Sequence, residues 1–345
     1  MVRDHLPVFR EGDFLETRDN LIFDVKGLLH PHDRVIAFLR YYPSEDGERI
    51  REGVRYRKVY SLDERFSVLK DKFPSYVYFD KVYDSIMQGV PVNDVARLYQ
   101  PTEKLTEMSS NRATLDKFER DSLEFCEILS GCASVNINRL GLSGSILVGL
   151  HNLKSDIDII VYGSESCLAV YGALNNLYSN ADSSIRPYND AELKKLFSFR
   201  SADTVTRWES FLRTERRKRL QGKFKNYEYF LRFIKDWKEL KLNYGDLTYR
   251  SLGKVTIKAE VADDSEALFT PCIYKIKNAE IVEEQEAREL IIDEIASFRG
   301  RFCEVARNEE PISARGKLEL VIDKSGNTHH RVIVGGEKDD FLTLS

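Results

Sequence analysis

Cysteine and tryptophan are scarce in this 345-residue chain, with five and two copies respectively. The cysteines are Cys126, Cys132, Cys167, Cys272 and Cys303. No two form a C-x-x-C pair and their number is odd, which argues against a disulfide framework or a zinc knuckle and for cysteines that fill small apolar sites in a reducing compartment. No apolar run approaches the length of about 20 residues that a membrane helix needs. The opening MVRDHLPVFREGD has no apolar stretch followed by small residues, so no secretory signal is expected and a cytoplasmic location is. There is no Walker A loop, which excludes a P-loop NTPase. Neither a Ser-His-Asp grouping nor an internal repeat nor a low-complexity segment is found. His30 with His32, and His329 with His330, lack cysteine partners and i, i+4 spacing, so they are read as loop or surface residues rather than metal ligands.

The composition is that of a globular protein with two or three units, 42% hydrophobic and 31% charged, at a net charge of -4. The charge is uneven. RTERRKRLQGKFK, residues 213–225, holds seven basic residues and one acid. Acids gather in EDGE (45–48) and EIVEEQEARE (280–289). A basic run is most often a solvated helix face, but it is also the footprint of phosphate contact. Within it Arg216, Arg217 and Arg219 are candidate phosphate ligands.

Periodicity places the elements. NLIFDVKGLL (20–29), RVIAFLRYYP (34–43) and part of GERIREGVRYRKVY (47–60) alternate as strands. Ser61 with Glu64 predicts a capped helix start, and PVNDVARLYQP (91–101) a short helix stopped by proline. Residues 111–131 predict an amphipathic helix with Leu115, Phe118, Leu123, Cys126, Ile128 and Leu129 on its apolar face. The segment 189–242 is expected to be mostly helical, with Phe224, Tyr227, Leu231, Ile234 and Trp237 as an inward stripe. GKVTIKAEVADD (253–264) returns to period two, and the last 80 or so residues predict a β-rich barrel or sandwich with a hairpin at Ser-Gly-Asn.

One stretch carries chemistry: GLSGSILVGLHNLKSDIDIIVYG, residues 141–163. Asp156 and Asp158 stand two apart on a predicted strand and share a face, while Ile157, Ile159 and Val161 face the core. Two such carboxylates repel each other unless a cation lies between them. Mg²⁺ favours oxygen ligands and shares them with substrate phosphates. Gly144 and Ser145 stand at a strand-to-helix turn, where a glycine lets backbone approach a phosphate and a hydroxyl adds a donor. Lys154, two residues before Asp156, is a further phosphate candidate, and His151 lies in the loop between the motif halves.

Gly144-Ser145, a ten-residue spacer and Asp156-Ile157-Asp158 together resemble the polymerase β-type nucleotidyltransferase superfamily. RVIAFLRYYP, SDIDIIVYG and ALFTPCIYK are similar to archaeal predicted nucleotidyltransferases. The strand and helix pattern gives a small N-terminal α/β unit (1–108) and a C-terminal β-rich domain (263–345), and the resemblance implies that between them, in an α+β chain, lies a polymerase β-like nucleotidyltransferase domain (109–262, with a helical insertion). It implies a third acid on a neighbouring strand, for which Glu260 is the candidate, with Asp263 and Asp264 as alternatives. It further implies Mg²⁺ or Mn²⁺ on Asp156, Asp158 and Glu260. An NTP would lie along Gly144 and Ser145, and a nucleoside monophosphate would pass to an acceptor hydroxyl, with RNA as the expected acceptor. The alternatives are a non-catalytic nucleic-acid-binding protein on the same scaffold, or an acceptor on a small molecule or a protein side chain.

Overall fold

The computed structural model describes residues 9–180, 182–201, 206–284 and 290–345. The opening residues 1–8 and the second half of the acidic run 280–289 lie outside them. Among the described residues the chain is a mixed α+β protein with seven α-helices and three sheets.

The first sheet takes eight strands: β1 (Phe14–Thr17), β2 (Ile22–Val25), β3 (Arg34–Pro43), β4 (Arg49–Arg51), β5 (Val54–Lys58), β6 (Val77–Asp80), β7 (Ser85–Pro91) and β8 (Val95–Tyr99). All pairings are antiparallel, and the long β3 is the hub: β7 joins its start, β2 its middle and β5 its end. Helix α1 (Leu62–Lys72) starts as expected, with Ser61 Oγ accepting from the Glu64 N–H at 3.1 Å. The short helix expected at 91–101 is instead a single 3₁₀ turn followed by β8, because the sheet edge at β1 captures Val95–Tyr99 as a partner.

Two helices lead to the central sheet, α2 (Pro101–Ser110) and α3 (Lys117–Ala133). In α3 a capping box forms between Asp116 and Glu119, and Ser134 ends the helix in a left-handed conformation. Phe118, Leu123, Phe125, Cys126 and Leu129 are buried. The central sheet has the order β11-β12-β13-β10-β9, from β9 (Leu140–Leu142), β10 (Ile157–Tyr162), β11 (Ile185–Arg186), β12 (Gln221–Phe224) and β13 (Tyr227–Ile234). Helix α4 (Gly144–Leu147) is a single turn, and α5 (Ser164–Ser179), α6 (Asp190–Ser201) and α7 (Trp208–Glu215) follow.

Of the inward stripe expected on a helix over 224–237, Phe224, Tyr227, Leu231 and Ile234 lie on strands instead and Trp237 on a 3₁₀ turn. Tyr229, Leu231 and Phe233 are each at most 1% exposed and alternate with Glu228, Phe230 and Arg232. The same residues satisfy both periods over one turn of chain. What decides for strand is the aromatic density together with the tight turn at Lys225-Asn226, where Lys225 has φ 51° and the chain folds back as a hairpin.

The third sheet holds β14 (Leu247–Asp263), β15 (Cys272–Glu284), β16 (Glu294–Ser297), β17 (Pro311–Asp323), β18 (Thr328–Ile333) and β19 (Phe341–Leu344). β14 pairs with both β15 and β17, so β14-β15-β16-β18-β17 close into a barrel, with β19 added along β17. The barrel thus begins at Leu247, and the unit boundary expected at 262 falls inside one of its strands. The hairpin expected at Ser-Gly-Asn joins β17 to β18, with Gly326 at φ 86°. Of the cysteines, Cys126, Cys167, Cys272 and Cys303 are buried as expected, whereas Cys132 is exposed.

Core aromatic packing anchors α3 to the central sheet. Phe125 stacks on Phe224 with ring centroids 4.5 Å apart and meets Tyr229 edge-on at 5.0 Å. Truncating a ring so enclosed leaves a cavity as well as losing transfer energy. Phe125→Ala is therefore expected to cost about 3–5 kcal/mol. Leu153→Ala, at a side chain 99% exposed, should shift stability by less than about 0.5 kcal/mol. Thermal denaturation of the two variants beside the parent checks the contrast.

Candidate functional site

The motif halves meet because β9 and β10 are antiparallel neighbours, with Leu142 opposite Ile159. The chain leaves β9 through Ser143, whose N–H donates to the Asp158 carbonyl at 2.9 Å, and turns at Gly144 into α4. Gly144 has φ 65°, and a β-carbon there would lie 2.0 Å from Asp158 Oδ2. Both the backbone conformation and the space demand glycine. The Asp158 carboxylate therefore lies directly over the Gly144 backbone.

Ser155 fastens the arrangement from behind. Its hydroxyl receives the Arg49 guanidinium at 2.9 Å, the Asn152 N–H at 2.9 Å and the Ser145 hydroxyl at 3.1 Å. Arg49 also donates to the Leu150 carbonyl at 2.8 Å. Ser145, 3% exposed, thus turns its hydroxyl inward to Ser155, not outward as a phosphate donor. Gly144-Ser145 offers backbone rather than a hydroxyl to the outside. Arg49 belongs to the β4–β5 hairpin, so the first sheet clamps the loop that joins the two motif halves. Arg51, from the same strand, donates to the Val148 carbonyl at 3.3 Å.

Asp156 and Asp158 are half-buried, and neither has a hydrogen bond or ion pair with another described side chain. Burial and the adjacent Asp156 charge push the Asp158 carboxyl up to about 7, against the opposing pull of Lys58, Arg232 and Arg40. Lys58, on β5 opposite the buried Tyr41, responds in the other sense. Burial and the Arg40 charge bring its ammonium down to about 8, with Asp156 and Asp158 acting to raise it. Lys58, Arg40 and Arg232 were not singled out in the sequence. Two belong to strands of another sheet, and nothing local to the motif points to them.

The neighbouring strand supplies a carboxylate, but not the expected one. β10 and β13 run parallel with Ile157 opposite Tyr229 and Asp158 opposite Phe230. Continued one residue beyond the paired stretch, this register would bring Glu228 level with Asp156, on the face of β13 that carries Arg232. Glu228 is half-buried and, like the two aspartates, has no described hydrogen bond or ion pair. Burial, and then Glu228 and Asp156 among the charges around it, raise the Tyr188 hydroxyl, which marks the two acids as neighbours of one side chain. Glu260 lies elsewhere: on β14 of the barrel, ion-paired to Lys277 at 2.6 Å. Asp263 ends the same strand and accepts from the Ser265 N–H at 2.8 Å, and Asp264 follows it. The sequence reading missed Glu228 because a helix was expected there. The signal available was an acid between aromatic residues in YEYF on a period-two strand.

The other candidates are also placed. Lys154 is exposed in the loop before β10, away from the Asp158 cavity. His151 reaches Asp116 at 2.8 Å and stacks on Phe118, tying the loop to the start of α3. The basic segment is tied into the fold. Arg216 pairs with Asp190 at 2.7 Å, Arg217 with Glu310 through two contacts of 2.6 Å, and Arg219 with Asn175 at 3.1 Å. Lys218 is 3% exposed and pairs with Glu215 at 2.8 Å. Arg213 bonds the Ser345 carbonyl, Lys223 the Asn226 carbonyl, and Lys225 pairs with Asp121 and Glu124. These residues join the central sheet to the barrel and to α3 and do not form an open cationic face.

Among the described residues no three or more Asp, Glu, His or Cys side chains come together as a group that could hold a metal ion. The donor chemistry nevertheless fits a hard cation that keeps water and substrate oxygens, since Mg²⁺ is ordinarily held by one or two carboxylates plus phosphates. Crowded carboxylates without a protein counter-ion in contact are what such an ion relieves. Among the described residues no helix is long and apolar enough to cross a membrane.

Two expectations follow from the geometry. Gly144→Ala forces either the left-handed backbone or the Asp158 carboxylate to move and should destabilise by about 1–3 kcal/mol, read by thermal melting. Asp158 binds its proton more tightly folded than unfolded, so its contribution to stability is full below pH about 4 and is lost as pH rises through about 7. Asp158→Asn lacks that loss. In EDTA its melting temperature relative to the parent should therefore be higher at pH 8 than at pH 5, by roughly 2–5 °C.

No protein-family model matches the sequence, and no solved structure matches it. Among curated proteins the chain is 34% identical over 340 residues to "Uncharacterized protein MJ1086" of Methanocaldococcus jannaschii. That alignment covers 96% of this chain and 97% of the relative. At this identity and coverage the two chains share their whole course, and the chain belongs to the same family as the Methanocaldococcus jannaschii protein.

Proposed function

We propose that this chain is a metal-dependent nucleotidyltransferase of the polymerase β type. The observation that carries the reading is the seating of the Asp158 carboxylate on Gly144, with Asp156 two residues earlier, immediately before β10. Its support is the parallel neighbour strand β13, which brings Glu228 alongside as the third acid. A bound Mg²⁺ or Mn²⁺ would be held by Asp156 and Asp158 together with substrate oxygens, with Glu228 on the neighbouring strand, and would supply charge neutralisation of the phosphates and a lowered pKa for the attacking hydroxyl. The remaining work falls to the chain. The Gly144 backbone borders the small cavity beside Asp158, where the lack of a side chain lets a phosphate oxygen approach it. Arg40 and Arg232 bring positive charge toward Asp158. Lys58 Nζ, with its pKa near 8, holds a proton that can exchange near neutral pH. The alternative of a non-catalytic nucleic-acid-binding protein would draw on the basic segment, and with its side chains engaged in the fold no observation favours it.

The test is thermal stabilisation by each of the four NTPs, with and without Mg²⁺, in the parent and in Asp156→Ala/Asp158→Ala. Metal-dependent stabilisation of roughly 2–5 °C at saturating nucleotide, absent in the double variant, is expected. No stabilisation by any NTP, or an equal effect in the double variant, overturns the reading.

Glu228 and Glu260 are separated by Mn²⁺ titration followed by electron paramagnetic resonance. Glu228→Gln should weaken Mn²⁺ binding by about 10-fold or more, while Glu260→Gln leaves it unchanged.

A further inference from the structure

A chamber of about 600 Å³ opens between the first sheet, β13 and the barrel. It adjoins the Asp158 site: Asp24, Arg40 and Arg232 line both this chamber and the small cavity, of about 50 Å³, that touches Gly144 and Asp158. Its walls have two characters. Eight of the lining side chains are Lys or Arg and four are Asp or Glu. Between them lie half-exposed aromatic rings, Phe38, Phe66 and Phe298, and Tyr60, which is 54% exposed.

Arg65, Arg299 and Arg301 have partners of their own, and the charge of the other five cations can be traced. Lys26 and Arg232 are matched by the buried Glu11 and Asp24. Lys317 and Arg331 share one carboxylate, Glu319, at 2.6 and 2.8 Å. Arg40 has no carboxylate within ion-pair distance among the described residues, its guanidinium donating to the Val59 carbonyl at 3.3 Å. Two cations on one acid, and one with none, hold their charge toward the chamber. An anion entering there gains attraction without breaking an ion pair, and the aromatic walls suit a planar or apolar body beside it.

We propose that this chamber is the acceptor site and takes a small phosphate-bearing molecule of about one nucleotide in size. The volume lies within the range of roughly 300–1,000 Å³ that encloses a single small ligand, and is too small for a duplex. This rests on the nucleotidyltransferase reading. In the transfer, a bond forms between the acceptor hydroxyl oxygen and the α-phosphorus of the NTP. The bond from that phosphorus to the bridging oxygen breaks, pyrophosphate leaves, and the hydroxyl proton passes to water. The acceptor phosphate stays in the chamber near Arg40 and Lys317 while its hydroxyl faces Asp158.

Calorimetric titration of the full chain in EDTA tests this, with the four nucleoside 5′-monophosphates and their nucleosides as probes. At least one monophosphate should bind without metal and its nucleoside at least 10-fold more weakly. Asp156→Ala/Asp158→Ala should keep this binding even as it loses Mg²⁺-dependent NTP stabilisation, so the chamber and the transfer site fail separately. Arg40→Gln and Lys317→Gln should each weaken the monophosphate about 10-fold, with melting temperatures confirming that both variants are folded. ATP with Mg²⁺ should not displace the bound monophosphate from the parent. The proposal is overturned if no monophosphate binds, if nucleosides bind equally well, if neither variant weakens binding, or if ATP with Mg²⁺ competes for the same place.

Discussion

The repulsion between two carboxylates on one strand face is the constraint around which this molecule is arranged. Asp156 and Asp158 are set two residues apart, half-buried, beside a strand carrying a third acid in the same direction. Left to themselves such groups would take up protons, and Asp158 does move toward doing so, with its carboxyl up near 7. The fold answers with charge at a remove rather than with contact. Lys58, Arg40 and Arg232 act on Asp158 without forming an ion pair to it, so its oxygens remain available. A direct salt bridge would have occupied those oxygens.

Holding that arrangement takes support from outside the central sheet. Ser155, immediately before Asp156, is bonded by Arg49 from the first sheet and by Ser145 from the helical turn. Gly12 lies so close to β10 that a β-carbon would stand 2.9 Å from Ile160, and the Ser143 hydroxyl donates to the Gly12 carbonyl at 2.7 Å. The buried Glu11 meets Arg232 at 2.6 Å. A buried pair of this kind contributes less to net stability than its short distance suggests, because both charges are desolvated. It also ties the segment before β1 to β13. The result is a site whose acids come from one sheet and whose cations come largely from another.

Much of this was legible along the chain wherever pattern and chemistry were local. The aspartates on one face of β10, the glycine turn before α4, the serine cap of α1 and the β-hairpin at Ser-Gly-Asn all follow from period, turn residues and spacing within about twenty residues. The misreadings share one cause. The 224–237 segment satisfies helical and strand periods alike, and the hairpin turn at Lys225-Asn226, the aromatic density and pairing with β10 together decide for strand. Once it was read as a helix, Glu228 could not be seen as a neighbour of Asp156, and Glu260 was the next acid on a period-two strand. The basic run 213–225 misled for a similar reason: its partners Glu310, Asn175, Asp190 and Asp121 are remote in sequence or on other elements.

By itself the sequence determined the acid pair, the glycine that must face it and the β character of the C-terminal third, because each depends on side-chain alternation or on a backbone conformation that only neighbouring residues influence. The tertiary structure alone decided which carboxylate stands beside Asp156, which cations act on Asp158, and that the surplus positive charge lines a chamber rather than the basic run. Those depend on strand register and on the meeting of three sheets. Coulombic interaction falls off with distance in space and takes no account of distance along the chain.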